Sequence, residues 1–146
     1  DVSQTAVEMA RANAVRNGLD NRMDFLCENV FDLLPRLEKE GCPYDFIILD
    51  PPAFTKSRKT TQNALRGYKE INYRAMKMLP RGGYLATASC SHFATEELFR
   101  KMLASAAADA GRSLRQIEAR QQSPDHPILW NVPETDYLKF FLFQVV

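Results

Sequence analysis

Glycine is scarce in this chain of 146 residues, with six in all, at 18, 41, 67, 82, 83 and 111. No GxGxG-like turn can be drawn from them, which excludes a glycine-rich ligand cradle built from this sequence. Cysteine is equally sparse: Cys27, Cys42 and Cys90 are three in number, far apart, and form no CxxC or Cys/His spacing. An odd, scattered set excludes a disulfide framework and argues against a zinc site. No run approaches the roughly 18 consecutive apolar residues of a membrane-spanning helix, and no charged-then-apolar leader opens the sequence, so a cytoplasmic location is expected. One stretch also lacks acidic residues. Between 51 and 69 the chain carries Lys56, Arg58, Lys59, Arg66 and Lys69 and no carboxylate, leaving 14 basic against 18 acidic residues elsewhere, a net −4 within an overall +1. Such a segment is either a solvated loop or a phosphate-facing patch beside a site.

The hydrophobic content, 45%, suffices for one packed domain. Its spacing alternates between two periods. Residues 3 to 17 read as a helix with Ser3 as a cap, Ala6, Ala10 and Ala14 along one face, and Gly18 as the stop. Residues 23 to 27 read as a short strand. Phe31, Leu34 and Leu37 fall at helical spacing over 30 to 40, closed by Gly41, and the apolar run "YDFIILD" is a buried strand ending in Asp50. Residues 63 to 79 read as a helix, "PRGG" at 80 to 83 as a turn, and 84 to 89 as the next strand. Thr95 followed by Glu96 and Glu97 starts a helix to about residue 110, with Gly111 as its stop. Residues 115 to 120 and 138 to 145 are two late strands, separated by a polar loop with Pro124, Pro127 and Pro133, and an antiparallel edge is expected of them. Regular alternation predicts an α/β fold with a mostly parallel sheet covered on both faces. Ligands of such sheets bind beyond the carboxyl ends of the strands, which singles out Asn29, Asp50 with Pro51, and residues 89 to 91.

These residues match a known pattern. "DVSQTAVEMARANAVRNGL" at the start, "ENVFDLL" at 28 to 34, "DPPAF" at 50 to 54, "RGYKEIN" at 66 to 72, "SCS" at 89 to 91, "DHP" at 125 to 127 and "YLK" at 137 to 139 resemble the class I S-adenosylmethionine-dependent methyltransferases. Within them the chain resembles the large-subunit ribosomal RNA cytosine-5 methyltransferase family. A lone DPP is weak; the ordered set over nearly the whole chain is specific. The resemblance implies a Rossmann-like fold, S-adenosyl-L-methionine as cofactor and ribosomal RNA as substrate. It also implies that residues 1 to 146 are a partial catalytic domain, truncated before the glycine-rich first motif and lacking upstream RNA-binding segments. Loss of the first strands would leave unpaired sheet edges, through which self-association and weak cofactor binding are expected.

By the same resemblance, Asp1 is the acidic residue that accepts hydrogen bonds from the cofactor ribose, a task suited to a carboxylate facing two vicinal hydroxyls. Asn29, with the Val30 backbone, is the polar contact to the adenine; as a residue type it is equally a helix N-cap, and both roles are compatible. Asp50 and Pro51 correspond to the motif at which a carboxylate and a backbone carbonyl meet the flipped base.

Carbon 5 of cytosine is a poor nucleophile while the ring is aromatic. A thiolate adding at carbon 6 converts it to an enamine-like centre that attacks the sulfonium methyl; a base then removes the carbon 5 proton, and the thiolate is eliminated. Cys90 is the expected nucleophile, in preference to the reading of a small buried hydrophobe at a strand end. A free thiol is only a few per cent ionised near neutrality, so its site has to favour the thiolate. Asp50 is expected to hold the cytosine amino group and ring nitrogen. Pro52 stands where a neighbouring RNA methyltransferase group has a second cysteine, so product release depends on Cys90 alone. The base is not identified by sequence; His126, in "DHP", is a candidate for touching the substrate, ahead of His92. Lys69 and Lys139 are possible phosphate contacts or solvated lysines, Phe54 is expected to pack, and Tyr68 either packs or stacks on a base. Two other functions fit less of the pattern: an amino-group methyltransferase needing no thiol, and a non-enzymatic RNA-binding domain.

Overall fold

A computed structural model of the chain describes residues 1–41, 44–54 and 58–146. Cys42 and Lys56, and the side chain of Arg58, lie outside the described residues. The described residues form the helices α1 (Gln4–Arg16), α2 (Val30–Glu40), α3 (Thr61–Met78) and α4 (Glu96–Ala110) and the strands β1 (Phe46–Leu49), β2 (Tyr84–Ser89), β3 (Leu114–Arg120) and β4 (Lys139–Val145), in the order α1-α2-β1-α3-β2-α4-β3-β4.

Local chemistry sets the helix ends. Side-chain oxygens of Ser3, Asn29 and Thr95 accept from the backbone N–H of Ala6, Phe31 and Leu98, each satisfying a donor that the first helical turn leaves open. Gly41 and Gly111 end α2 and α4 at φ +68° and +63°, a left-handed backbone that a residue with a Cβ adopts only with strain.

The sheet runs β1-β2-β4-β3. β1 and β2 are parallel, with Leu49 opposite Thr87, while β4 lies antiparallel to both β2 and β3. The α/β architecture is therefore present in mixed form, and the expected antiparallel edge makes up half of the sheet. A bulge between Gln116 and Glu118 interrupts the β3–β4 ladder.

One layer of helices, α2 with α3 and α3 with α4, covers one face. Leu49, Leu85, Phe141 and Val145 of the strands meet Leu34, Tyr68, Ile71, Met76, Phe99 and Leu103 of the helices in a single core. A row of rings ties the layers together: Phe31, Phe54, Tyr68, Phe99, Phe141 and Phe143, each 4.6–6.1 Å from the next by centroid. Phe54 packs, as expected, and Gly67 is why it can: a Cβ there would lie 3.3 Å from the Phe54 ring.

Two expectations fail. Helices do not cover both faces among the described residues: α1 packs chiefly on the 3-10 turn Asp20–Arg22, and Phe46 and Ile48 on the uncovered side of β1 are 49% and 69% exposed. Residues 23 to 27 form no strand. A strand persists by hydrogen bonding to a neighbour, and among the described residues the backbone partner is the first residue: the Asp1 amine donates to the Leu26 carbonyl at 3.1 Å and the Glu28 N–H to the Asp1 carbonyl at 2.9 Å. Cys27, expected within that strand, is exposed, its thiol donating to the Val2 carbonyl.

Candidate active site

Parallel pairing of β1 and β2 sends both strands out of the sheet at one end. Asp50 follows β1 and Cys90 follows β2. Register sets Leu49 beside Thr87, the last pair of the ladder, so Asp50 and Cys90 leave the sheet at the same end. The carboxylate is exposed and the thiol half-buried.

Ser91 fixes the turn that carries the thiol. It is 1% exposed, and its hydroxyl shares a 2.9 Å hydrogen bond with the Tyr68 hydroxyl. Tyr68 also donates, at 3.5 Å, to the carbonyl of Pro52. One fully buried phenol thus joins the "DPP" turn to the "SCS" turn, and Tyr68 is a packing and bridging residue rather than a stacking surface. The Ser91 N–H donates to the Ser89 hydroxyl at 3.3 Å, closing the turn locally.

Lys139 completes this end. As the first residue of β4 it pairs with Ser89, the last of β2. Its ammonium donates to the carbonyls of Ser91 at 2.6 Å and Tyr137 at 2.8 Å. At 8% exposure it is no solvated phosphate contact. Burial pushes its pKa down, against the opposing pull of negative charge on Cys90, then Asp136, then Glu96. With Glu96, Ala119, Arg120, Gln121 and Phe141 it lines a cavity of about 230 Å³. Sequence reading missed this lysine's burial, although the alternation Lys139, Phe141, Phe143, Val145 puts it in phase with core residues.

The cofactor candidates form a second group. The Asp1 carbonyl accepts from the Glu28 N–H, which brings Asp1 next to the residue preceding Asn29. One Asp1 carboxylate oxygen accepts from the Ser3 N–H at 2.7 Å on an exposed side chain. Asn29 is exposed and caps α2 through Oδ1, with Val30 half-buried as the first helical residue. A carboxylate and a carboxamide side by side fit the ribose and base of a nucleoside; nothing in this chain offers a glycine-rich cradle for its other end.

Two substrate candidates lie elsewhere in the network. Lys69 pairs with Asp109 across α3 and α4 at 2.7 Å, and the two line, with Arg66, Glu70 and Tyr73, a cavity of about 400 Å³. His126 belongs to the β3–β4 loop, which leaves the sheet at the Cys90 end, but it is exposed and its described partner is Asp125 at 3.1 Å. Ser123 first, then His126, hold the Asp125 carboxyl below its usual range. His92 is exposed beside Phe93. Among the described residues no group of three His, Cys, Asp or Glu is arranged to hold a metal, and no helix is long and apolar enough to cross a membrane.

A family profile described as S-adenosylmethionine-dependent methyltransferase matches residues 1–144. Ribosomal RNA large subunit methyltransferase I of Erwinia tasmaniensis is 45% identical over 147 aligned positions, and that of Klebsiella pneumoniae 43%. Both alignments cover all of this chain, which spans 37% of the length of either relative. In three dimensions, SMU.776, a candidate methyltransferase complexed with SAH, superposes with a TM-score of 0.77 at 19% identity over 99% of this chain and 38% of its own. TrmN from Thermus thermophilus gives 0.64 at 22% identity, over 100% and 35%.

Proposed function

Because the chain belongs to the S-adenosylmethionine-dependent methyltransferase family, we propose that it is part of the catalytic domain of a ribosomal RNA methyltransferase that modifies carbon 5 of a cytosine through a covalent cysteine adduct. The observation that supports this reading is that Asp50 and Cys90 follow neighbouring parallel strands, whose turns are tied together by Tyr68. An RNA substrate is supported by the ribosomal RNA large subunit methyltransferase I relatives. A cytoplasmic protein with ribosomal RNA as partner is consistent with both.

In this reading Asp1, Asn29 and Val30 hold the nucleoside part of S-adenosyl-L-methionine, and Asp50 and Pro51 border both cofactor and base. When bound, that group supplies an electrophilic methyl. The Cys90 thiolate adds to carbon 6 of a cytosine turned out of its stack, and the ring π electrons move onto carbon 5. Asp50 holds the amino group and ring nitrogen as charge develops. Carbon 5, made nucleophilic in this way, takes the methyl; only then does loss of the carbon 5 proton to a base restore the 5,6 double bond and expel the Cys90 thiolate from carbon 6. Lys69 and His126 are left as outer contacts to RNA.

The test is trapping of the whole protein with RNA bearing 5-fluorocytosine, whose substituent cannot leave as a proton. An adduct mapped to Cys90 and absent from Cys90→Ala is the expected result. Full methylation by Cys90→Ala would instead favour an amino-group methyltransferase, and absence of cofactor binding a non-enzymatic RNA-binding domain.

A further inference from the structure

We propose that Lys139 and Arg120 form a phosphate site, which takes a backbone phosphodiester of the RNA close to the nucleotide being methylated. The inference rests on the reading of the substrate as RNA and names where the strand is held.

The site is the cavity of about 230 Å³ where three elements meet: Arg120 ends β3, Lys139 begins β4 opposite Ser89, and Glu96 begins α4. At roughly 30 Å³ per water, that volume equals about seven waters, room for a phosphate and part of its hydration. Its polar lining is rich in donors. A lysine ammonium has three N–H groups; two donate to the Ser91 and Tyr137 carbonyls at 2.6 and 2.8 Å, and among the described residues nothing accepts the third. The side chain is 8% exposed, and no described carboxylate forms an ion pair with it. A cation buried this deeply normally has an anion beside it, because desolvation without a partner is costly. Glu96 does not fill that place, since Arg100 holds its carboxylate at 2.6 Å. At the exposed rim Arg120 meets Glu118 through Nε and one Nη, and among the described residues its other Nη has no acceptor. A phosphodiester carries a negative charge and offers only acceptors, which is what these donors lack. Burial keeps Lys139 off the open surface, so the cavity is the way an anion reaches it. Cys90 does not line this cavity, and the two places suit different parts of one strand: a base at the thiol and a backbone phosphate at the ammonium, spaced by the Lys139 bond to the Ser91 carbonyl.

Equilibrium binding of transcribed large-subunit ribosomal RNA to the whole protein, followed against salt concentration, tests this. Each phosphate contact to a single strand contributes about 0.7 to the slope of log affinity against log salt. Lys139→Met should lower the slope by about that amount and weaken binding roughly tenfold. Arg120→Gln, on the exposed rim where folding is untouched, should shift both in the same direction, and Lys139→Arg should keep the slope. An unaltered slope in folded Lys139→Met, with only kcat reduced, overturns the proposal and leaves Lys139 as a support of the turn. NMR of the Lys139 ε carbon, assigned by its loss in Lys139→Met, separates the two sources of phosphate. A short single-stranded oligocytidylate should move the signal; movement with inorganic phosphate but not with the oligonucleotide makes the cavity a free-anion site and overturns the RNA assignment. An adduct at Cys90 with a slope indifferent to residues 139 and 120 removes the phosphate site alone; a missing adduct with the slope effect intact removes the cysteine chemistry alone.

Discussion

Tyr68→Phe isolates the phenol that joins the DPP and SCS turns. The ring would stay where it is, 4.6 Å from Phe54 and 5.6 Å from Phe99 by centroid, so no cavity opens. What disappears is the hydroxyl shared with Ser91 at 2.9 Å, together with the longer contact to Pro52. The Ser91 hydroxyl, sealed in the core, then has no partner, and leaving such a group unsatisfied costs about 1–3 kcal/mol. In a chain of this size each kcal/mol moves the melting temperature by roughly 2–4 °C, so a loss of about 6 °C is expected at the middle of that range. The cause is checked by a double-mutant cycle with Ser91→Ala, read by urea denaturation. Deleting both partners should cost less than the sum of the single changes, by about 1 kcal/mol. If Tyr68→Phe lies within about 0.5 kcal/mol of the parent, the ordinary range for a neutral surface change, or if the two substitutions simply add, the phenol does not tie the turns and the site lacks the scaffold described.

Asn29→Ala should cost about 1 kcal/mol by removing the α2 cap, whereas Asn29→Asp should keep it, as measured by urea midpoints; equal losses in both would show that the cap contributes nothing. Because β1 has an open edge among the described residues, with Ile48 69% exposed, the isolated chain should self-associate with a second copy as concentration rises, and Ile48→Lys should suppress this in sedimentation experiments. Burial lowers the Lys139 pKa, so between that lowered value and the ordinary lysine value of about 10.4 the unfolded chain binds the extra proton. Stability contributed at this position therefore rises with pH across that window, the reverse of a lysine whose pKa a partner has raised. The urea midpoint of the parent should gain on that of Lys139→Met as the pH rises toward the ordinary lysine value, and a constant difference would contradict the burial argument.

Helix boundaries were the most legible part of the sequence, because a cap is a local event: a side chain and a backbone N–H two or three residues away suffice for Ser3, Asn29 and Thr95. Strands are not local. Residues 46–49 and 84–89 keep their strand character because each has a partner in register, while residues 23 to 27, among the described residues, bond through the backbone to Asp1 and form no strand. The same contrast holds within the site. Asp50 and Cys90 could be marked from motif and strand end, but whether a lysine or a tyrosine is buried depends on what the other elements bring. Lys139 is aimed inward by the phase of β4, and Tyr68 by α3 packing against α4 and the sheet. Hydrophobicity alone assigns the lysine to the surface and leaves the tyrosine undecided.

Both buried residues act on the same short turn, from opposite sides. Tyr68 reaches the Ser91 side chain from the helical layer, while Lys139 reaches the Ser91 backbone carbonyl from the neighbouring strand. A turn held at one point could pivot; held through two groups of one residue, from two elements, it has a single orientation. Cys90 lies just before that anchor and is itself only half-buried, so the backbone is fixed while the sulfur retains an approach. Nucleophilic addition needs this combination, since the reacting atoms must meet within about 3–3.5 Å along a defined line, and a mobile thiol would have to lose its freedom in each turnover. In the proposed cysteine chemistry the serines of "SCS" would support the reacting thiol: Ser89 closes the turn and Ser91 anchors it.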